Sequence, residues 1–228
     1  MLPRRVPVLS RPPVVLRAFR DSDAGLVQSV ATDPLIPLIT SVPVTGGRAD
    51  ALAFIGRQHQ RLSAGQGYSF VITEAASGTA VGQAGLWLRD ADLGRASVGY
   101  WIAAPHRRRG YTTAALDAIS RWGLTLDGID RLELYVEPWN EGSWRAAERA
   151  GYHREGLLRR WQYVGADQRT PGPAGYPLEA PGCGRVDVSA MVLPGGLERM
   201  RAGLWAERPP SSPAPSSPAP SSPAPSVA

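Results

Sequence analysis

The chain has 228 residues, 43% of them hydrophobic, and a formal net charge of +5 at pH 7. This length allows one domain with a substantial core. All 25 basic residues are arginines, which excludes chemistry that needs a lysine amine and suits the binding of phosphate or carboxylate. The single cysteine, Cys183, excludes an internal disulfide and disfavours a metal cluster. No apolar run reaches the about 18 residues of a membrane span, so we expect a cytoplasmic protein outside the membrane.

The first half of the chain predicts two helices followed by three strands. Residues 14–20 alternate as a strand, and Asp21 is a candidate N-cap for a short helix that ends before Pro34. Residues 49–65 predict an amphipathic helix that Gly65 ends. Three strand-like runs separated by turns follow, at residues 68–75, 80–89 and 95–104.

The second half begins with the segment "PHRRRGYTTAALDAISRWGL", which predicts a turn and then a long helix that Gly128 closes. A strand at residues 131–137 and a helix at 141–152 come next. Two last strands, at 156–164 and 185–193, flank a loop insertion rich in glycine and proline at about 165–185. The whole order predicts an α+β fold with a mixed, largely antiparallel sheet flanked by helices.

The composition divides the chain into three parts. Residues 1–12 are an N-terminal extension and residues 13–207 form the domain, including the insertion. Residues 208–228 contain three copies of Ser-Ser-Pro-Ala-Pro and no large apolar side chain before Val227. Prolines at this density block helix and sheet, so we predict a disordered, polyproline-like tail.

The three arginines Arg107–Arg109 allow two hypotheses. They could form a basic patch for nucleic acid, or they could flank a helix N-terminus that binds phosphate through free backbone N–H groups. Gly110 would let the backbone approach an anion closely, and Thr112 and Thr113 are small enough to keep the entrance open. The chain lacks the aromatic-interleaved pattern of single-strand RNA binders, which favours the phosphate site.

Two segments carry a family resemblance. The run "GYWIAAPHRRRGYTTAAL" resembles the acyl-coenzyme A signature of the GCN5-related N-acetyltransferases, in which Arg107, Gly110 and Thr112 match the fixed positions. The run "ELYVEPWNEGSWRAAERAGYHREGLLR" is similar to a second signature, found in the branch that acetylates N-terminal amines of ribosomal proteins. The matching residues are Pro138, Asn140, Ser143, Gly151, Tyr152, Glu155 and Gly156. The resemblance covers about residues 13–195.

The resemblance implies that an amine attacks the thioester of acetyl-CoA directly, with no metal. Two neighbouring strands should splay apart and bind the acyl-CoA between them. The pantetheine and the developing oxyanion would meet the backbone of Trp101, Ile102 and Ala103. The phosphates would lie at the turn, and Asn140 would donate a hydrogen bond on the cofactor side. The implied phosphate residues are Arg107, Arg108, Arg109, Gly110, Tyr111, Thr112 and Thr113.

The implied catalytic residues are Ser143, as hydrogen-bond donor to the leaving sulfur, and Glu137, as general base. Each has an alternative. Ser143 and Asn140 lie where a helix begins and could be ordinary capping residues. The base could instead be Glu74 or a chain of water molecules. Arg108 replaces a glycine of the family, so the turn must avoid a positive φ there or carry strain of about 1 kcal/mol or more.

The sequence does not identify the acceptor of the acetyl group. It could be a protein N-terminal amine or a small molecule such as an antibiotic or a polyamine, and we expect a monomer or a homodimer. We expect the protein to contact nucleic acid only through a ribosomal substrate. Two other hypotheses are an acyl-CoA-binding protein without transferase activity and an RNA-binding protein.

Overall fold

A computed structural model describes residues 2–164 and 184–195, which form one eight-stranded sheet with helices on both faces. The strands lie in the order β1-β2-β3-β4-β5-β6-β8-β7. Neighbours β5 and β6 are parallel, and the other neighbouring pairs are antiparallel. This confirms the predicted α+β fold. The strands are β1 (Leu9–Arg11), β2 (Val14–Arg17), β3 (Gly67–Glu74), β4 (Ala80–Trp87), β5 (Arg95–Ile102), β6 (Arg131–Val136), β7 (His153–Val164) and β8 (Gly184–Pro194).

Four of the helices lie where the sequence predicts them. The fifth, α2, is a single turn with a proline at its start, too short for a periodic pattern to indicate it. Helix α3 ends just before Gly65, whose φ of 68° is the left-handed conformation that commonly stops helices. The helices are α1 (Ala24–Ser29), α2 (Ile36–Ile39), α3 (Arg48–Ser63), α4 (Tyr111–Gly123) and α5 (Glu141–Arg149).

The predicted domain boundaries differ from the structure at the N-terminus. Strand β1, within the segment assigned to the extension, pairs with β2 at the edge of the sheet, with Leu9 opposite Leu16. Arg11 also forms an ion pair with Asp117 of α4, with 2.7 Å between Nε and a carboxylate oxygen. Three residues are too few to show alternation, so sequence periodicity could not reveal this strand. The predicted insertion lies outside the described residues except for 184 and 185, which begin β8, and the predicted tail lies outside them entirely.

Each face of the sheet packs its own core. On one face, α4 and α5 cover alternate residues of the strands, among them Phe70, Leu86 and Leu132. On the other face, α1 and α3 cover a smaller cluster that includes Val71 and Trp101. Successive residues of a strand point to opposite faces, so a residue's parity determines which core it enters.

The sheet has a gap at its centre. Strands β5 and β6 pair only at their first residues, from Arg95 opposite Arg131 to Ser97 opposite Glu133. Beyond this point β5 continues to Ile102 paired with β4 alone, and β6 continues to Val136 paired with β8 alone. The two strands therefore separate toward their carboxyl ends, as the resemblance predicted.

Candidate active site

Beyond Ser97, where its pairing with β6 ends, β5 offers backbone groups to the gap. The N–H of Ala103 donates to the carbonyl of Val81 at 3.0 Å, on the β4 side. Hydrogen-bonding directions alternate along an antiparallel ladder. The backbone N–H and C=O of Trp101 therefore also point toward β4, and those of Tyr100 and Ile102 point toward the gap. Of the three predicted pantetheine-binding residues, Ile102 therefore presents its N–H to the gap.

Trp101 and the strand around it are fixed by a buried polar network. The indole N–H of Trp101 donates to the side-chain oxygen of Gln83 at 2.8 Å. The amide nitrogen of Gln83 contacts Ser69 Oγ at 2.9 Å and Gln58 Oε1 at 3.1 Å, and Ser69 Oγ donates to that same Gln58 oxygen. Buried polar groups with all partners present hold their side chains in a defined orientation, so the network fixes the Trp101 side chain against β4.

The turn after β5 ends in a helix N-terminus with open space in front of it. Gly110 is the N-cap of α4 with a φ of 77°, and a Cβ there would meet no atom within 4 Å. The first helical N–H bond runs from Ala114 to the carbonyl of Gly110. The N–H groups of Tyr111, Thr112 and Thr113 thus have no acceptor within the helix. Such a helix end, at the positive pole of the helix dipole, favours an anion.

Arg107 is engaged by the protein itself. Its Nε donates to the carbonyl of Ile102 at 3.0 Å, and its Nη2 lies 2.6 Å from the carboxylate of Asp33 in the loop between α1 and α2. Burial alone would raise the pKa of Asp33, but the N–H groups of Ile36 and Leu35 and the charge of Arg107 hold that pKa below its ordinary value. Arg107 therefore ties the turn to the loop between α1 and α2.

Arg108 and Arg109 are exposed on the turn. Arg108 has a φ of 64°, so the glycine of the family signature is replaced here by a side chain that keeps the left-handed conformation. For a residue other than glycine this conformation costs about 1–2 kcal/mol. The strain expected from the sequence is therefore present.

Tyr111 and Glu74 form a contact beneath the turn. Tyr111 is buried, its hydroxyl donates to the carboxylate of Glu74, and Ser77 donates to the other carboxylate oxygen at 2.7 Å. The hydrogen bond from Tyr111, then that from Ser77, lowers the pKa of Glu74. A carboxylate with a lowered pKa and two donors is a weaker base, and Glu74 is bonded to Tyr111, the first residue of α4.

Helix α5 places Asn140 and Ser143 beside the gap. Asn140 is the N-cap, and its side-chain oxygen accepts from the N–H of Ser143 at 3.3 Å. Its amide nitrogen has no partner among residues 2–164 and 184–195. Ser143 Oγ lies 2.7 Å from the hydroxyl of Tyr100 on β5. Asn140 thus has the capping position that was the alternative to a cofactor-side role, whereas the Ser143 side chain forms no capping bond, and each residue keeps a group that can face the gap.

Glu137 follows β6 at the same end of the gap. It is only 5% exposed, and its carboxylate forms no hydrogen bond or ion pair with any residue that the structure describes. By strand alternation it lies on the face of Glu133 and Tyr135, opposite to Leu134 and Val136, which pack against α4 and α5. Its oxygens are not fully buried, so the carboxylate keeps contact with solvent and is available to a ligand.

Two residues of this site were not predicted from the sequence. Tyr100 alternates with Val98 and Ile102 and faces α5, a signal that strand parity contained. Asp33 is separated from Arg107 by 74 positions, and no local pattern indicates that pair.

Within the described ranges no group of three or more His, Cys, Asp or Glu side chains could hold a metal ion. None of the helices there has the length and apolar character of a membrane span.

Comparison with known proteins gives a consistent result. The family model described as an acetyltransferase (GNAT) domain matches residues 14–153. The uncharacterized N-acetyltransferase p20 of Bacillus licheniformis is 25% identical over 149 residues, which cover 65% of this chain and 84% of p20.

Solved structures share the fold at low sequence identity. RimL, a ribosomal L7/L12 α-N-protein acetyltransferase in complex with coenzyme A, aligns with a TM-score of 0.66 at 14% identity, over 83% of this chain and 98% of RimL. MccE, the microcin C7 self-immunity acetyltransferase in complex with acetyl-CoA and AMP, aligns with a TM-score of 0.61 at 16% identity, over 80% and 93%. Since the family model spans more than half of the chain and the sheet has the same fold, this protein belongs to the GNAT family of N-acetyltransferases.

Proposed function

We propose that this protein transfers the acetyl group of acetyl-CoA to the N-terminal amine of a protein. The observation that carries the proposal is the gap between β5 and β6, which has a helix N-terminus at one end and polar groups without partners along its sides. A long, flexible acyl thioester fits such a slot, because extended backbone on one wall can bond to it as to a strand.

The turn would hold the pyrophosphate. The free N–H groups of Tyr111, Thr112 and Thr113 converge on the open space beside Gly110, and the exposed guanidinium groups of Arg108 and Arg109 add positive charge. Arg107 supports the turn from behind through Asp33 and Ile102. The amide nitrogen of Asn140 is the donor available to the pantetheine chain.

The two faces of the sheet would divide the chemistry. Glu137 lies on the α1 and α3 face, so the amine would approach from that face and give its proton to Glu137 directly or through water. Ser143 lies on the α4 and α5 face, where its hydroxyl would donate a hydrogen bond to the leaving sulfur. Between them, the N–H of Ile102 would stabilise the oxyanion. These are separate positions for the base and for the donor, so neither group blocks the other.

The acceptor site offers aromatic surface as well as one carboxylate. Trp139 is 60% exposed beside Glu137, and Trp161 is 51% exposed and packs against Tyr135, with ring centroids 5.6 Å apart. One uncompensated carboxylate suits a single cationic amine better than a polycation, and exposed rings suit a peptide chain. RimL, which acts on a protein N-terminus, has the same fold. A small-molecule amine is the second candidate, since MccE shares the fold as well.

The test is a titration followed by an assay. Calorimetry should show that the full chain binds acetyl-CoA, and release of the thiol should then be measured against peptides with free N-termini, the same peptides with blocked N-termini, and small amines. We expect turnover with the free peptides and none with the blocked ones. Turnover with small amines alone would replace the peptide acceptor by a small molecule. No binding of acetyl-CoA would overturn the proposed function.

A further inference from the structure

Tyr100 makes two contacts with one residue across the gap. Its hydroxyl lies 2.7 Å from Ser143 Oγ and 3.1 Å from the Ser143 carbonyl oxygen. Tyr100 belongs to β5 and Ser143 to the first turn of α5, so the contact joins the two sides of the slot at the end where Glu137 lies. Of the positions matched to the family signatures, only Ser143 takes part in it; Tyr100 lies in the first quoted run but is not one of its matched positions.

The number of hydrogens limits this contact to two arrangements. A tyrosine hydroxyl has one hydrogen to donate, a serine hydroxyl also has one, and a carbonyl oxygen only accepts. When Ser143 donates to Tyr100, Tyr100 donates to the Ser143 carbonyl. When Ser143 turns its hydrogen elsewhere, Tyr100 can donate to Ser143 Oγ instead. Burial raises the pKa of Tyr100 to about 12, so the hydroxyl keeps its hydrogen in both arrangements near neutral pH.

We propose that Tyr100 is a positioning residue for acetyl transfer, which donates to Ser143 Oγ and so directs the hydrogen of Ser143 to the sulfur of the leaving coenzyme A. The inference rests on the proposed function and goes beyond it, because it assigns the orientation of Ser143 to a residue that is not among the matched signature positions. A donor that itself accepts a hydrogen bond donates more strongly, which favours this arrangement when negative charge develops.

The step balances without a net proton transfer through the pair. The bond between carbonyl carbon and sulfur breaks, its electron pair goes to sulfur, and the new amide bond forms to the amine nitrogen. The amine proton goes to Glu137 or to water. Ser143 and Tyr100 each keep their own proton and only exchange hydrogen-bond partners, so the thiolate leaves as an acceptor of a hydrogen bond from Ser143.

The test follows the thiol of bound coenzyme A, which needs no amine acceptor. The thiolate absorbs in the ultraviolet, so a pH titration of the complex gives the pKa of the bound thiol. A hydrogen bond to the thiolate lowers this pKa, and we expect Tyr100→Phe to raise it by about one unit relative to the wild-type complex. Ser143→Ala should raise it by a similar amount. Tyr135→Phe, a matched change on the opposite face of the neighbouring strand, should leave it unchanged.

The double variant separates a positioning role from a structural one. Tyr100 also bonds to the Ser143 carbonyl, and Ser143→Ala retains that contact. If Tyr100 acts through Oγ, Tyr100→Phe will cause no further shift in the Ser143→Ala background. An equal shift in both backgrounds, or none in either, would overturn the inference while the proposed function stands. In turnover, Tyr100→Phe should lower kcat about tenfold and leave the KM for acetyl-CoA unchanged. If coenzyme A does not bind, the proposed function and this inference fall together.

Discussion

The two ends of β6 differ in how their charges are satisfied. At the first end, where β6 pairs with β5, Glu133 accepts from Arg131 at 2.8 Å and from the hydroxyl of Tyr135 at 2.7 Å, and Arg131 also binds both carboxylate oxygens of Glu155. At the second end, where the strands have separated, Glu137 has no partner among the described residues.

Strand β6 therefore carries a carboxylate that has partners, and the residue just after the strand carries one that has none among the described residues. Burial alone would raise the pKa of Glu133, but hydrogen bonds from Tyr135 and Arg131 hold that pKa below its ordinary value. Nearly all buried polar groups in folded proteins have partners, so the exceptions indicate groups that await a ligand. Glu137, which has no hydrogen bond or ion pair with any described residue, lies where β5 and β6 have separated.

The largest expected effect is at the other free group of the site, the helix N-terminus. Gly110→Glu should weaken binding of acetyl-CoA about 100-fold or more, because a carboxylate would occupy the open space and repel phosphate. Calorimetry measures the change.

Gly128→Glu is the matched control for that variant. Gly128 has a φ of 78°, against 77° at Gly110, and a Cβ there also meets nothing within 4 Å. It lies beyond the opposite end of α4, a helix of 13 residues or about 20 Å. If both variants lose binding equally, backbone strain and not the anion site is responsible.

The next effect compares the two carboxylates of β6 directly. Glu137→Gln should lower kcat about 100-fold and leave the thermal midpoint unchanged, because it removes the proposed general base but no hydrogen bond or ion pair with the described residues. Glu133→Gln should have the opposite effect. The variant should retain activity, and its free energy of unfolding should be lower by about 1–3 kcal/mol. Steady-state kinetics and denaturant unfolding of both variants measure this. Loss of activity in Glu133→Gln alone would reverse the assignment of the base.

A smaller effect is expected at Asp33. Its lowered pKa means that its contribution to stability is present above the ordinary value of 3.8 and is lost as the pH falls through the lower folded value. Asp33→Asn should therefore cost about 1–2 kcal/mol of unfolding free energy near neutral pH, and the difference from wild type should shrink below about pH 4. Arg107→Gln, which leaves the N–H bonds of Leu35 and Ile36 to Asp33 in place, should cost less. A difference that is independent of pH would show that the charge of Asp33 is not involved.

The smallest effect concerns the strained turn. Arg108→Gly should raise the free energy of unfolding by about 0.5–1 kcal/mol, since relief of the left-handed strain exceeds the entropy that glycine loses on folding. Arg109→Gly, at a neighbour without a positive φ, should lower it by a similar amount. Denaturant midpoints measure both changes. Equal destabilisation by the two variants would mean that Arg108 has contacts that outweigh its strain.

The sequence predicted the parts of the site that depend on local conformation. Gly110 and the start of α4 follow from glycine, small residues and an apolar periodicity, which act within a few positions of each other. The gap itself followed from the family resemblance. The partners of the side chains could not be predicted, because Tyr100 and Ser143 are 43 positions apart and Asp33 and Arg107 are 74 apart. Strand β1 was missed for a different reason, its length of three residues.

The ion pair between Arg107 and Asp33 has a consequence for the affinities of the two proposed substrates. It joins the turn that would hold phosphate to the loop between α1 and α2, on the face from which the amine would approach. Binding at the turn and binding beside that loop would therefore be two equilibria that share one structural element. By thermodynamic reciprocity, whatever factor coenzyme A contributes to the affinity for the acceptor, the acceptor contributes to the affinity for coenzyme A. The coupling between the two affinities would then depend on this ion pair, and Asp33→Asn should reduce it.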